Sequence, residues 1–107
     1  MDDKPILVCT SVNDKKIATE IANHLISNKY SPCIHIISNN ESIYQWDNSI
    51  QVTNEYLLHI KSIKSKFNVI EKSIYDLHPY DIPEVVVIDI THISEKYFKW
   101  MIDFINE

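Results

Sequence analysis

The residues able to do chemistry form three groups. Cys9 and His78 are a thiol and an imidazole, side-chain types that ligate copper and zinc, although a real site needs three or four such donors converging. Cys33-x-His35 puts a second thiol and imidazole on one face of any strand that carries them, with His59 as a third donor if a neighbouring strand brings it alongside. Glu55, Lys61, Tyr80 and Glu84 are a charged and hydrogen-bonding set without a metal signature. Each has a plainer reading beside it. Cys9 suits core packing in an apolar strand. His78 suits a helix C-terminus, where an imidazole can bond the last carbonyls. Glu55 and Lys61 suit an ordinary ion pair.

The stretch HPYDIPE, His78 to Glu84, must position much of this. Pro79 forces His78 out of helical geometry, and Pro83 fixes the backbone where Glu84 opens an extended run. The corner is expected to be a rigid helix-to-strand connection in a chain that contains no glycine.

The other elements follow from periodicity. PILVCT, Pro5 to Thr10, reads as a first strand. Asp14 to Lys29 carries Ile17, Ile21 and Leu25 at helical spacing, with Ser11-x-x-Asp14 as a capping-box-like start. CIHIIS after Pro32 reads as a second strand, and Ser42–Trp46 with Ile50–Ser62 as an extended pair turned through Asp47-Asn48. A second helix with Ser65 as its cap places Phe67, Ile70, Ile74 and Leu77 on one stripe. A strand from Glu84 to Ile90 follows, and a last helix from Ser94. The order β-α-β-β-α-β plus a C-terminal helix predicts a single α+β domain over residues 1–107 with a ferredoxin-like, split βαβ sheet. PILVC and EVVVIDI are apolar on both faces, so the sheet needs cover on both sides. The last helix supplies part of it. A homo-oligomer is expected to supply the rest.

Composition excludes several classes. A net charge of -5 with no arginine argues against nucleic acid, and the absence of glycine removes P-loop and dinucleotide fingerprints. HExxH and CxxC are missing, and an acylphosphatase-like hydrolase on this fold would need an arginine, so no enzymatic activity is expected. No apolar run is long enough for a membrane span. The opening MDDKPILVCT lacks the pattern of a signal peptide, which makes the cytoplasm the expected location and Cys9 and Cys33 reduced thiols.

Val8-Cys9-Thr10, Pro32-Cys33-Ile34, Tyr44-x-Trp46 with Glu55-x-x-Leu58-x-Ile60-Lys61, His78-Pro79-Tyr80-x-x-Pro83-Glu84 and Tyr97-x-x-Trp100 occur in this order over nearly the whole chain. Together they resemble the CutA family of divalent-cation tolerance proteins. The resemblance implies a PII-like homotrimer of ferredoxin-like subunits, with hairpins pairing between subunits, and binding of divalent metal, copper above all. The copper set it implies is reduced here to Cys9 and His78, because Leu77 stands where some bacterial members carry a second histidine. Glu55, Lys61, Tyr80 and Glu84 are then expected to line a cleft between subunits. A competing reading is a PII-like signalling module that binds a small anionic metabolite or a protein partner there through Lys61 and Tyr80.

Overall fold

A computed structural model describes residues 3–107. The elements are β1 (Pro5–Val12), α1 (Lys15–Ser27), β2 (Cys33–Trp46), β3 (Ser49–Ile63), α2 (Phe67–Leu77), β4 (Val86–Asp89) and α3 (Glu95–Ile105), with one 3-10 turn at Lys64–Lys66. The strands form one antiparallel sheet in the order β2-β3-β1-β4. β3 thus lies between β1 and β2, and β1 between β3 and β4, which is the interleaving of the ferredoxin-like arrangement expected from the element order.

Parity on the strands decides which face each residue serves. Ile6, Val8 and Val12 of β1 and Leu58 and Ile60 of β3 are buried with Ala18, Ile21 and Leu25 of α1 and Ile70 and Ile74 of α2. Both of these helices therefore cover the same face. The opposite face receives α3 over one end only, where Met101 and Ile105 pack on Ile63. The rest of that face is open: Val86 and Ile88 remain 46% and 49% exposed, although they belong to a strand that reads as apolar throughout.

Four left-handed residues, Lys29, Asn39, Asp47 and Asn48, do the work that glycine does elsewhere. Asp47 and Asn48, at φ 51° and 63°, are the central pair of the two-residue hairpin turn, and the positive φ at both defines the type I′ geometry that matches strand twist. Lys29, at φ 62°, ends α1: the amides of Lys29 and Tyr30 return to the carbonyls of Ile26 and Leu25 in a Schellman closure. Asn39 marks a bulge, where the pairing passes from Ile37 opposite Leu57 to Asn40 opposite Glu55.

Several expected boundaries shift. CIHIIS and Ser42–Trp46 are one bent strand rather than two, because the bulge absorbs the polar Ser38-Asn39 without ending the pairing. Ser11 is not a helix start. It lies inside β1, and the cap is Asp14, whose carboxylate accepts from the amides of Lys16 and Ile17. Ser65 does not cap α2 either. Its amide and hydroxyl both donate to the Asp3 carboxylate, and the 3-10 turn leads the chain into the helix. β4 starts two residues later than expected, since Glu84 still belongs to the corner. Ser94 caps α3 as its position suggests.

Candidate ligand cleft

The hairpin of β2 and β3 extends past the end of β1, and the corner from His78 to Glu84 folds into the space beside it. His78 ends α2 with extended backbone at ψ 136°, the geometry Pro79 imposes. Its buried ring is fixed from both sides. Nε2–H donates to the carbonyl of Ser11 at 2.7 Å, and Nδ1 accepts from the amide of Tyr80 at 3.2 Å. These two bonds require the Nε2–H tautomer. The Tyr80 ring stands edge-on to the imidazole with 4.5 Å between centroids, so the histidine acts as a template for the tyrosine.

Tyr80 in turn reaches Glu55. Its hydroxyl donates to Glu55 Oε2 at 3.0 Å, Thr53 donates to the same oxygen at 3.3 Å, and Ser42 donates to Oε1 at 3.3 Å. Glu55 is only 6% exposed, yet its partners here are three neutral hydroxyls and no cation. Burial, with the hydrogen bond to Glu55 adding to it, pushes the Tyr80 phenol up to about 12, so it stays a donor at neutral pH. Glu84 at the far side of the corner accepts from the Ser11 hydroxyl at 3.4 Å. Ser11 thereby holds both ends of the corner, one through its carbonyl and the other through its side chain.

These groups open into a cleft of about 680 Å³ lined by Ser11, Ser42, Glu55, Tyr80, Asp81 and Glu84 on its polar side. Ile43, Tyr44, Trp46 and Ile82 form its apolar walls. Three carboxylates and no basic residue contribute to the lining. Of the four residues expected to line a cleft, Glu55, Tyr80 and Glu84 are brought together and Lys61 is not. Lys61 lies on the same strand six residues beyond Glu55, roughly 20 Å along it, so the two do not pair within one chain. Its ammonium instead stands over the Tyr97 ring.

The copper set fares differently. Cys9 is buried and pairs in register with His59 and Val86, and its thiol is raised by burial and then by the charge of Glu84, which favours the protonated form that metals do not take. His78 already uses both ring nitrogens. Among the described residues no three histidine, cysteine or acidic side chains converge as a metal group. Cys9 and His78 as they stand do not fit a copper ion. The two cysteines are unpaired, and because β3 separates their strands they lie about 9–10 Å apart in the sheet direction alone, too far for a disulfide. Cys33 and His35 are adjacent, with Sγ and Nε2 3.9 Å apart, and His35 lies opposite His59.

Sequence reasoning missed Ser11, Ser42 and Thr53 as the groups that hold the carboxylates. Thr53 was within reach of strand parity, two residues before Glu55. Ser42 was not, because the bulge at Asn39 resets the parity of β2.

The fold and cleft define a ferredoxin-like α+β protein with a preformed acidic site at the base of a long hairpin. The sequence profile described as "CutA1 divalent ion tolerance protein" matches residues 6–103, and the chain belongs to this family. "Protein CutA, chloroplastic" of Arabidopsis thaliana is 32% identical over 96 residues, 90% of this chain and 53% of that protein. "Protein CutA homolog" of Xenopus laevis is 33% identical over 92% of this chain and 64% of its own length. The chain thus spans about half to two thirds of these curated relatives, but 92% of the "Divalent-cation tolerance protein CutA" of Thermus thermophilus, at 28% identity and 89% of this chain. Among solved structures, CutA1 from the psychrotrophic bacterium Shewanella sp. SIB1 superposes with a TM-score of 0.92 at 33% identity, covering 97% of both chains. CutA1 from Oryza sativa gives 0.91 at 31% identity over 94% of this chain and 93% of the other. No helix here is long and apolar enough to cross a membrane, among the described residues.

Proposed function

We propose that this chain is a non-enzymatic, cytoplasmic homotrimer that binds a divalent cation, and that the cation enters the acidic cleft rather than a Cys9–His78 pair. The observation that carries the reading is Glu55, a carboxylate 6% exposed at the base of a cleft with two further acids and no basic residue. A buried anion supported only by hydroxyls attracts a positive ligand, since a cation there recovers electrostatic energy that water cannot supply. The family's description as a divalent ion tolerance protein fits a cation of that kind. One or two carboxylates, hydroxyl oxygens and water form a donor set for a partly hydrated ion. Copper, being more thiophilic and imidazole-seeking, would have to displace His78 from the Ser11 carbonyl to use the other pair.

Assembly is supported by the open sheet face, where Val86 and Ile88 lack cover, and by the hairpin, whose Ile43, Trp46, Ile50 and Val52 are all more than half exposed. Unpaired thiols are consistent with a reducing compartment. A signalling role in the PII manner remains the second reading, favoured by the apolar walls of the cleft. The cleft's charge turns that reading from an anionic metabolite to a cationic one or to a protein segment bearing lysine or arginine.

Calorimetric titration with Mg²⁺, Mn²⁺, Zn²⁺, Cu²⁺ and spermidine separates the possibilities. Binding of a metal ion by the wild type and its loss in Glu55→Gln supports the cleft. Spermidine binding without metal binding supports the second reading. Copper binding that survives Glu55→Gln and disappears in Cys9→Ser or His78→Ala overturns the cleft. Light scattering should return three times 12.6 kDa, and a monomer at micromolar concentration would remove the trimer.

A further inference from the structure

The open face of the sheet carries a second set of donors that the cleft does not use. Register places His35 of β2 directly opposite His59 of β3, and Cys33 opposite Lys61, one step along the same face. Alternation puts Cys33, His35 and His59 on the side away from α1 and α2, where Cys33 and His59 are half-buried and His35 is exposed. Tyr97 of α3 stands beside Cys33, with the Lys61 ammonium over its ring.

The geometry of the pair is specific. Two ligands on a tetrahedral zinc, a sulfur at about 2.3 Å and a nitrogen at about 2.0–2.1 Å, lie roughly 3.6 Å from each other. Cys33 Sγ and His35 Nε2 lie 3.9 Å apart. His59 stands directly opposite His35 in the ladder, where opposed Cβ atoms lie about 4.5–5.5 Å apart, which puts a second imidazole on the same patch of the sheet. The ring of His78, by contrast, is committed to Ser11 and Tyr80.

We propose that Cys33, His35 and His59 form a thiolate–imidazole site for a zinc-class divalent ion, the pair preformed and His59 completing it on binding, with the fourth position left to water. This site is separate from the acidic cleft: its donors are soft where those of the cleft are hard oxygens, and it lies on the other side of the bulge at Asn39.

The test is titration of the reduced, full-length chain with Co²⁺, whose thiolate charge-transfer absorption appears only when a cysteine sulfur binds the ion. The expected result is that absorption saturating at one ion per chain in the wild type. It should be absent in Cys33→Ser, at least about tenfold weaker in apparent affinity in His35→Gln and His59→Ala, and unchanged in Cys9→Ser and Glu55→Gln. Circular dichroism confirms that each variant is folded, and His35→Gln, at an exposed position, keeps the test valid should Cys33→Ser fail to fold. No absorption in the wild type, its persistence in Cys33→Ser, an unchanged affinity in His35→Gln, or its loss in Cys9→Ser overturns the site. Loss of Mg²⁺ or Mn²⁺ binding in Glu55→Gln with the cobalt signal intact supports both sites independently, and failure of the cleft leaves the cobalt result untouched.

Discussion

Tyr80→Phe removes one oxygen and asks whether the corner is held by the carboxylate it touches. The phenol gives Glu55 Oε2 its shortest side-chain hydrogen bond, 3.0 Å, while Thr53 and Ser42 reach the carboxylate at 3.3 Å. A hydrogen bond to a charged group contributes about 1.5–3 kcal/mol when its loss leaves the charge unsatisfied. Here two hydroxyls remain and the cleft admits water, so the expected cost is near the lower end, about 1–1.5 kcal/mol. The ring keeps its edge-on contact with His78, so packing loss adds little. Urea unfolding at one fixed chain concentration measures the cost. A double-mutant cycle with Glu55→Gln should show coupling of at least about 0.5 kcal/mol. Tyr80→Phe should also retain cation binding that Glu55→Gln loses, since the phenol positions the carboxylate and does not replace it. A cost under about 0.3 kcal/mol together with no coupling would refute the claim that Tyr80 and Glu55 act as a unit.

Three further outcomes follow from the same structure. Thr10 is fully buried and its hydroxyl has no partner among the described residues, so Thr10→Val should stabilise the chain by about 1 kcal/mol in urea unfolding. Asn48 stands at φ 63° in the hairpin turn; Asn48→Ala should cost about 1 kcal/mol and Asn48→Gly little or nothing, measured by thermal unfolding. Tyr80 titrates at about 12 when folded and about 10 when unfolded, so the proton is held more tightly in the native state. That contribution is complete below pH 10 and is lost as pH rises through 10 to 12, and urea midpoints across this range should fall more steeply for the wild type than for Tyr80→Phe.

What could be read in advance divides along a physical line. The HPYDIPE corner was legible because proline restricts backbone whatever surrounds it, and the Asp47-Asn48 turn because few residues other than glycine accept positive φ. The alternation of Tyr56, Leu58 and Ile60 against Leu57, His59 and Lys61 gave the two faces of β3 directly. The bulge was hidden, since Ser38-Asn39-Asn40 reads equally well as a loop between strands. That one uncertainty propagated. Without the bulge, Ser42 could not be assigned to the side of Glu55, and a continuous β2 could not be distinguished from two short strands. Lys61 and Glu55 illustrate a different limit. Both stand at positions where the chain resembles its family, and sequence proximity suggested a pair, but residues of equal parity on a strand share a face while moving steadily apart.

The bulge also explains how one sheet face can hold two sites of opposite chemistry. Before Asn39 the odd residues of β2 face the same way as the odd residues of β3, which puts Cys33 and His35 with His59 and Lys61. After it the even residues do, which puts Ser42 and Tyr44 with Thr53 and Gln51 and makes the hydroxyl ring around Glu55 possible. A strand of unbroken parity would have pointed Ser42 to the other side and left Glu55 with one fewer donor. The extra residue at Ser38-Asn39 thus separates a sulfur- and nitrogen-bearing half of the sheet from an oxygen-bearing one. Deleting Asn39 would only close the bulge, with Asn40 still opposite Glu55 and Ser42 still opposite Thr53, so the donor itself is the residue to remove. Ser42→Ala takes that hydroxyl from Glu55 and leaves Cys33 and His35 in place, so Glu55-dependent cation binding should weaken in calorimetry with the cobalt signal preserved. Loss of both together would mean that the two sites do not stand on separate halves of the sheet.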